Sequence, residues 1–160
     1  MERKYKVVAT GGTFDEIHVG HLALLSKAFE VGERVIIGVS SDAFAKATKG
    51  NNKLNHNYEI RVRSLKEKIE EKFGNVTYEI SKLNDIYGPT VIYGDVEAIV
   101  SSSETAVNGH LINEIRSRNG LKPLKIISVN MIRAEDGYPI SSTRIRNGEI
   151  DSYGKLLKIK

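Results

Sequence analysis

Two histidines three residues apart, His18 and His21, follow closely on Gly11-Gly12-Thr13-Phe14 and open an amphipathic segment. At a helix start this spacing puts both imidazoles on one face, among backbone amides with no intrahelical partner. Such a place attracts anions. Imidazole N–H groups there can tighten their hold as negative charge grows in a transition state. Adjacent glycines permit positive φ and remove side chains that would keep a phosphate from the amides. Gly20, between the histidines, leaves room for a ligand against the helix. Two histidines at this spacing could also be half a zinc site, but no third ligand stands at metal-like spacing. His56 and His110 are lone residues, and no metal-binding residue is assigned.

A second constellation lies near the C-terminus, Ile140-Ser141-Ser142-Thr143-Arg144-Ile145-Arg146. Pro139 sets an extended approach, and the hydroxyl residues supply capping oxygens and free amides at a helix start. With Arg144 and Arg146 within a turn, this reads either as simple capping or as a second phosphate grip.

The elements that must carry these residues alternate along the chain. Val- and Ile-rich segments at 5–10, 34–40, 76–81, 98–101 and 124–131 are the expected strands. Their near-continuous apolar character suits strands covered on both faces. Helical periodicity marks 19–31, with Leu22, Leu25, Ala28 and Phe29 inward and Gly32 as its left-handed stop. It also marks 58–73 (Val62, Leu65, Ile69, Phe73), stopping at Gly74, and 103–119 (Val107, Leu111, Ile112, Ile115), stopping at Gly120. A last short helix is expected to start near 141–143 and end at Gly148. The pattern is that of an α/β fold with a parallel sheet. The lysine-bearing stretch 46–53 and the segment 84–95 read as surface loops. In an open α/β sheet, loops leaving the strands' carboxyl ends line the ligand crevice. That rule gathers 11–15, the lysine stretch, 101–105 and 133–143.

Bulk properties narrow the function classes. The chain has no cysteine, which excludes disulfides, thiolate metal sites and Cys nucleophiles. No apolar run reaches the roughly 18 residues of a membrane span, and no signal-peptide block opens the chain, so a cytoplasmic protein without membrane contact is expected. The 160 residues are most simply one domain, 1–160. A net charge of +4 suits polyanionic small substrates or weak nucleic-acid contact. Seven Tyr, four Phe and no Trp, not interleaved with the basic residues, argue against a single-strand binder, so no nucleic-acid partner is expected.

Gly12-Thr13-Phe14-Asp15 and His18-Val19-Gly20-His21 resemble the signature of the nucleotidylyltransferase superfamily that shares an HxGH motif with class I aminoacyl-tRNA synthetases. Ile140, Ser141, Ser142, Thr143 and Arg146 match that superfamily's ISSTxxR motif. The resemblance implies a Rossmann-like, doubly wound parallel sheet of about five strands. Between the motifs the chain resembles the archaeal type of phosphopantetheine adenylyltransferase. This likeness is carried by Ser40-Ser41-Asp42, Tyr58-Glu59-Ile60-Arg61, Ala98-Ile99-Val100-Ser101 leading to Glu104-Thr105, and Gly120-Leu121-Lys122-Pro123-Leu124. It implies transfer of AMP from ATP, with Mg²⁺ carried by the ATP, to 4′-phosphopantetheine. His18 and His21 would then meet the α- and β-phosphate oxygens, Thr13 the acceptor's phosphate, and Ser141, Ser142, Thr143 and Arg146 the β- and γ-phosphates. Gly11, Gly12, Phe14, Ser101 and Glu104 complete the expected nucleotide site. One cation from Lys46, Lys49 and Lys53, with Lys49 as first choice, would close over the acceptor phosphate. Arg61 could simply cover its helix, and Asp15 either supports a residue that touches the phosphates or is a cap or turn residue.

The bacterial branch has Thr where this chain has His18, and Arg-Gly where it has Ser101-Ser102-Ser103, so its base and pantetheine contacts do not transfer. Two other readings stay open. One is another transferase of the same fold, a glycerol-phosphate cytidylyltransferase or an FMN adenylyltransferase. The other is a non-catalytic nucleotide-sensing or RNA-binding module.

Overall fold

The computed structural model of the chain describes residues 4–49, 54–88, 94–103 and 105–157, the Lys49 side chain excepted. Five parallel strands form one sheet in the order β3-β2-β1-β4-β5: β1 (Tyr5–Gly12), β2 (Gly32–Ser40), β3 (Tyr78–Leu83), β4 (Ala98–Ser102) and β5 (Lys125–Val129). Helices α1 (Val19–Val31), α2 (Asp42–Lys49), α3 (Tyr58–Phe73), α4 (Val107–Arg118) and α5 (Ser142–Arg146) complete the described elements. The order reverses at β1, whose neighbours are β2 on one side and β4 on the other, and a crevice opens at such a switch point.

Both faces of the sheet are buried, which is why the strands read as continuous apolar runs. Val8, Val35, Ile37 and Val100 pack with Leu25 and Phe29 of α1 and Leu65 and Ile69 of α3. On the opposite face Val7, Ala9 and Ile36 pack with Ile112 of α4. Truncating a fully buried residue such as Leu65 to Ala would cost about 2–5 kcal/mol.

Several expected elements differ in detail. The stretch expected as a lysine loop from 46 is helical as far as Lys49, because α2 begins at Asp42 with the Ser41 hydroxyl accepting from the Phe44 amide and with Ala45 fully buried. Lys53 lies outside the described residues. Strand β3 sits two residues later than the pattern placed it, and α4 starts at Val107 rather than 103. On α4, Val107 and Leu111 face solvent, whereas Gly109 and Arg116 are buried. Gly32 does end α1, but with an extended φ of −111° rather than a left-handed one. Its missing side chain makes room for Val8, whose Cγ2 would lie 2.8 Å from an added Cβ. Gly74, Gly120 and Gly148, at the other expected stops, do have left-handed φ.

Candidate active site

A cleft of about 330 Å³ opens beyond the carboxyl ends of β1, β4 and β5, between the start of α1 and the start of α5. Thr13, Phe14, His18, Gly20 and His21 line one side, and Ile140, Ser141, Ser142 and Thr143 the other. Thus the two sequence constellations, more than 100 residues apart, meet across one cavity.

The histidines reach it through an unusual helix start. His18 is the N-cap of α1, with extended backbone, and His21 occupies the third helical position. The His18 Nδ1 accepts from the Gly20 amide at 3.0 Å, and the His21 Nδ1 accepts from the His18 amide at 3.2 Å. This is a reciprocal capping box built from two imidazoles. An Nδ1 that accepts carries no proton, so the hydrogen-bond network assigns the proton of each neutral ring to Nε2. The rings stack at 3.9 Å between centroids and are inclined by 24°. The pair therefore places two stacked imidazoles, each with its proton on Nε2, at a helix N-terminus that lines the cleft. Gly20 lines the cleft, and its lack of a side chain also spares the His18 ring: an added Cβ would sit 2.8 Å from His18 Cε1 and 2.9 Å from its Nδ1.

The glycine pair also acts differently from expectation. Gly11 and Gly12 are extended residues of β1, neither has positive φ, and neither lines the cleft. Gly11 lies against Gly38 and Leu83, Gly12 against the Phe14 ring, so close packing explains both. The left-handed residue of the turn is Phe14 itself, at φ 56°. A side chain other than glycine there costs about 1–3 kcal/mol and persists only where its surroundings over-determine it. Phe14 is buried in the core, with its ring 4.9 Å from that of His21.

What over-determines this turn is a buried ionic network that the sequence did not disclose. Both Asp15 oxygens are used: one accepts from the His56 amide at 3.0 Å, the other from the Asn55 amide at 3.0 Å and from Arg146 Nη1 at 2.6 Å. Burial pushes the Asp15 carboxyl up, but the Asn55 amide, the Arg146 guanidinium and the His56 amide outweigh it and hold it below the usual carboxylate range. His56 is accordingly not an isolated loop residue; its Nδ1 also lies 3.0 Å from the Asp15 carbonyl. Arg61 does not merely cover its helix. Its side chain is fully buried and spans the Thr13 carbonyl, the His56 carbonyl and the Asp42 carboxylate.

Across the cleft, Ser141 caps α5 by accepting from the Arg144 amide, and the Ser142 hydroxyl donates to the Glu16 carbonyl at 3.1 Å. Arg144 is tied to Asp136, Pro139 and Glu149, away from the cavity. Arg146 does not line the cleft either: it is held by Asp15 and by the Thr143 hydroxyl at 3.1 Å. Ser101 is likewise not among the lining residues, and its buried Oγ has no hydrogen-bond partner among the described residues. Its neighbour Ser102 lines the cleft with Thr105, their hydroxyls 2.9 Å apart. The expected Glu104 and the Lys49 side chain lie outside the described residues. Sequence reasoning missed Leu24, Val129, Asn130, Met131 and Ile132, which form a largely apolar wall. The only signal was position, since Asn130 and Met131 leave the end of β5.

This geometry can be set beside known proteins. The cytidylyltransferase-like family model matches residues 9–148, a span that contains both walls of the cleft. The chain belongs to the cytidylyltransferase-like family. It is 48% identical to the phosphopantetheine adenylyltransferase of Methanothermobacter thermautotrophicus over 99% of this chain and 93% of that one. It is 43% identical to the phosphopantetheine adenylyltransferase of Pyrococcus furiosus, covering 99% and 98% of the two chains. Within the family it groups with these archaeal adenylyltransferases, so it is a nucleotidyltransferase. Among solved structures, a protein of unknown function from Archaeoglobus fulgidus matches with a TM-score of 0.69 at 35% identity, over 76% of this chain and 87% of that one. The tyrosyl-tRNA synthetase of the same organism matches with a TM-score of 0.62 at 13% identity, over 89% of this chain and 60% of that one. At that identity the second likeness is one of fold alone. No described helix is long and apolar enough to cross a membrane.

Proposed function

We propose that this cytidylyltransferase-like protein transfers AMP from ATP to 4′-phosphopantetheine, giving dephospho-coenzyme A and pyrophosphate in the cytoplasm. The observation that carries the reading is the cleft itself, lined on one side by Thr13, His18 and His21 and on the other by the capped hydroxyl turn Ser141–Thr143. Full-length similarity to archaeal phosphopantetheine adenylyltransferases supports the choice of acceptor.

An oxygen of the acceptor's phosphate attacks the α-phosphorus of ATP. A new P–O bond forms there while the bond to the β-phosphate oxygen breaks, and pyrophosphate leaves with that electron pair. No covalent enzyme intermediate is needed, so the protein contributes position and charge complementarity. His18 and His21 donate to the α- and β-phosphate oxygens. Thr13 holds the acceptor phosphate, joined by a cation for which Lys49 of α2 is the first choice. The amides and hydroxyls of Ser141, Ser142 and Thr143 take the β- and γ-phosphates, and Arg146 joins them by sharing or leaving Asp15. The apolar wall of Val129, Met131 and Ile132 suits a planar base. ATP arrives as its Mg²⁺ complex. Among the described residues the cleft lining offers hydroxyls and imidazoles but no carboxylate, so the ATP would bring the ion with it, and the ion would supply charge neutralisation to the phosphates.

Pyrophosphate release with ATP or CTP against phosphopantetheine, FMN, nicotinamide mononucleotide and glycerol phosphate tests the reading. Turnover is expected for ATP with phosphopantetheine and should stop on chelation of Mg²⁺. Preference for any other pair would overturn it.

A further inference from the structure

We propose that Arg61 is a positioning residue for the transfer reaction, fixing the Thr13–Phe14 turn at the floor of the cleft; the proposal rests on the function reading above. Arg61 does not line the cleft and is only 1% exposed, so its charge is not what a substrate meets. Its guanidinium instead joins three separate segments. Nη1 donates to the Thr13 carbonyl at 2.7 Å, Nε to the His56 carbonyl at 3.1 Å, and Nη2 to the Asp42 carboxylate at 2.8 Å.

The carbonyl it holds belongs to the peptide leading into Phe14, whose left-handed φ of 56° is rare for a side-chain-bearing residue. Asp15, on the far side of that residue, is fixed in turn by Asn55, His56 and Arg146. The turn is therefore gripped on both sides of its strained residue. Thr13 and Phe14 both line the cleft, and the Phe14 ring touches His21, so the grip reaches two groups assigned to substrate. A planar fork meets three acceptors at fixed angles, whereas a lysine ammonium cannot reproduce that geometry. A displacement near 1 Å of a group that positions substrate costs on the order of 100-fold in rate.

The test compares Arg61→Met, Arg61→Lys and Asp42→Asn, assayed with ATP and phosphopantetheine well below each variant's melting temperature. Arg61→Met is expected to lower kcat on the order of 100-fold while the Kd for ATP, by calorimetry, stays within threefold. Arg61→Lys should remain at least tenfold below the wild type. Asp42→Asn, which leaves the Thr13 contact in place, should keep kcat within threefold even if it melts earlier. A purely structural role would make the activity losses follow the melting temperatures. Arg61→Met with kcat within threefold of wild type would overturn the proposal, and if that variant does not fold, Arg61→Lys is judged by the same criterion. A wild type inactive with phosphopantetheine refutes the function reading instead. The crystal structure of Arg61→Lys then decides, and an unmoved Thr13 carbonyl with Phe14 still near its left-handed φ refutes the positioning role.

Discussion

Replacing Gly20 with alanine separates the stability of α1 from the placement of the His18 ring. The new Cβ would lie 2.8 Å from His18 Cε1, too close for any real Cβ, so the ring must move, and a shift of about 0.6 Å restores ordinary contact. That shift breaks the Gly20 amide's bond to Nδ1 and with it half of the capping box. Loss of the cap costs about 1 kcal/mol, and Gly→Ala inside a helix recovers about the same amount. Net stability should therefore stay within about 0.5 kcal/mol, or roughly 2 °C in melting temperature. Activity should not be spared. With about 100-fold lost per ångström of misplacement, kcat is expected to fall between about ten- and a hundredfold, or ~1.4–2.7 kcal/mol in the barrier. Thermal melts and initial rates of pyrophosphate release measure the two effects independently. Unchanged kcat at unchanged melting temperature would mean that the stacked-histidine geometry is not what the reaction uses.

Other consequences follow from the same geometry. His21→Ala should reduce turnover at least about 100-fold with the fold intact, measured as kcat alongside circular dichroism, as for a lost transition-state donor. Asp15→Asn should flatten the acid limb of stability. The native carboxyl titrates below its ordinary 3.8, so its contribution is present above that pH and disappears as pH falls through the lower native value. Melting temperatures from pH 7 to 3 should show the wild type losing this increment below about 3.8 and the variant, already lower at pH 7, lacking that step. Arg116→Met should leave the Lys122 and Val96 carbonyls without this donor, at about 1–3 kcal/mol each, and lower the melting temperature by about 4–24 °C. Its kcat per folded molecule should match the wild type, because Arg116 is not among the residues that line the cleft.

What could be read from sequence was whatever periodicity or local spacing encodes. His18 and His21 sit on one helix start, and their i, i+3 relation is a property of the helix alone. Leu25, Phe29, Leu65 and Ile69 fell inward because a two-sided sheet needs apolar stripes above it. The junction of Thr13 with Ser142 was legible through topology and through the two paired motifs rather than through local spacing, since one lies after β1 and the other begins α5. Long-range polar pairing was not legible. Nothing local distinguishes Arg61 from a surface arginine, yet it is buried because Thr13, Asp42 and His56 supply acceptors from three distant segments. Arg116 escaped for the same reason, occupying an inward place on α4 that the apolar pattern gave to Val107 and Leu111. Gly11 and Gly12 were noticed but misread as turn residues, because a glycine required for close packing looks in sequence like one required for a turn.

The most direct measurement is a crystal structure with the non-reacting analogue α,β-methylene-ATP, Mg²⁺ and 4′-phosphopantetheine. Nε2 of both His18 and His21 is expected within about 3.2 Å of α- or β-phosphate oxygens, with the start of α5 on the β- and γ-phosphates. The acceptor's phosphate should lie at Thr13, in line with the α-phosphorus and opposite the bridging group. A triphosphate bound away from the two imidazoles, or an acceptor phosphate that cannot reach the α-phosphorus in line, would contradict the account.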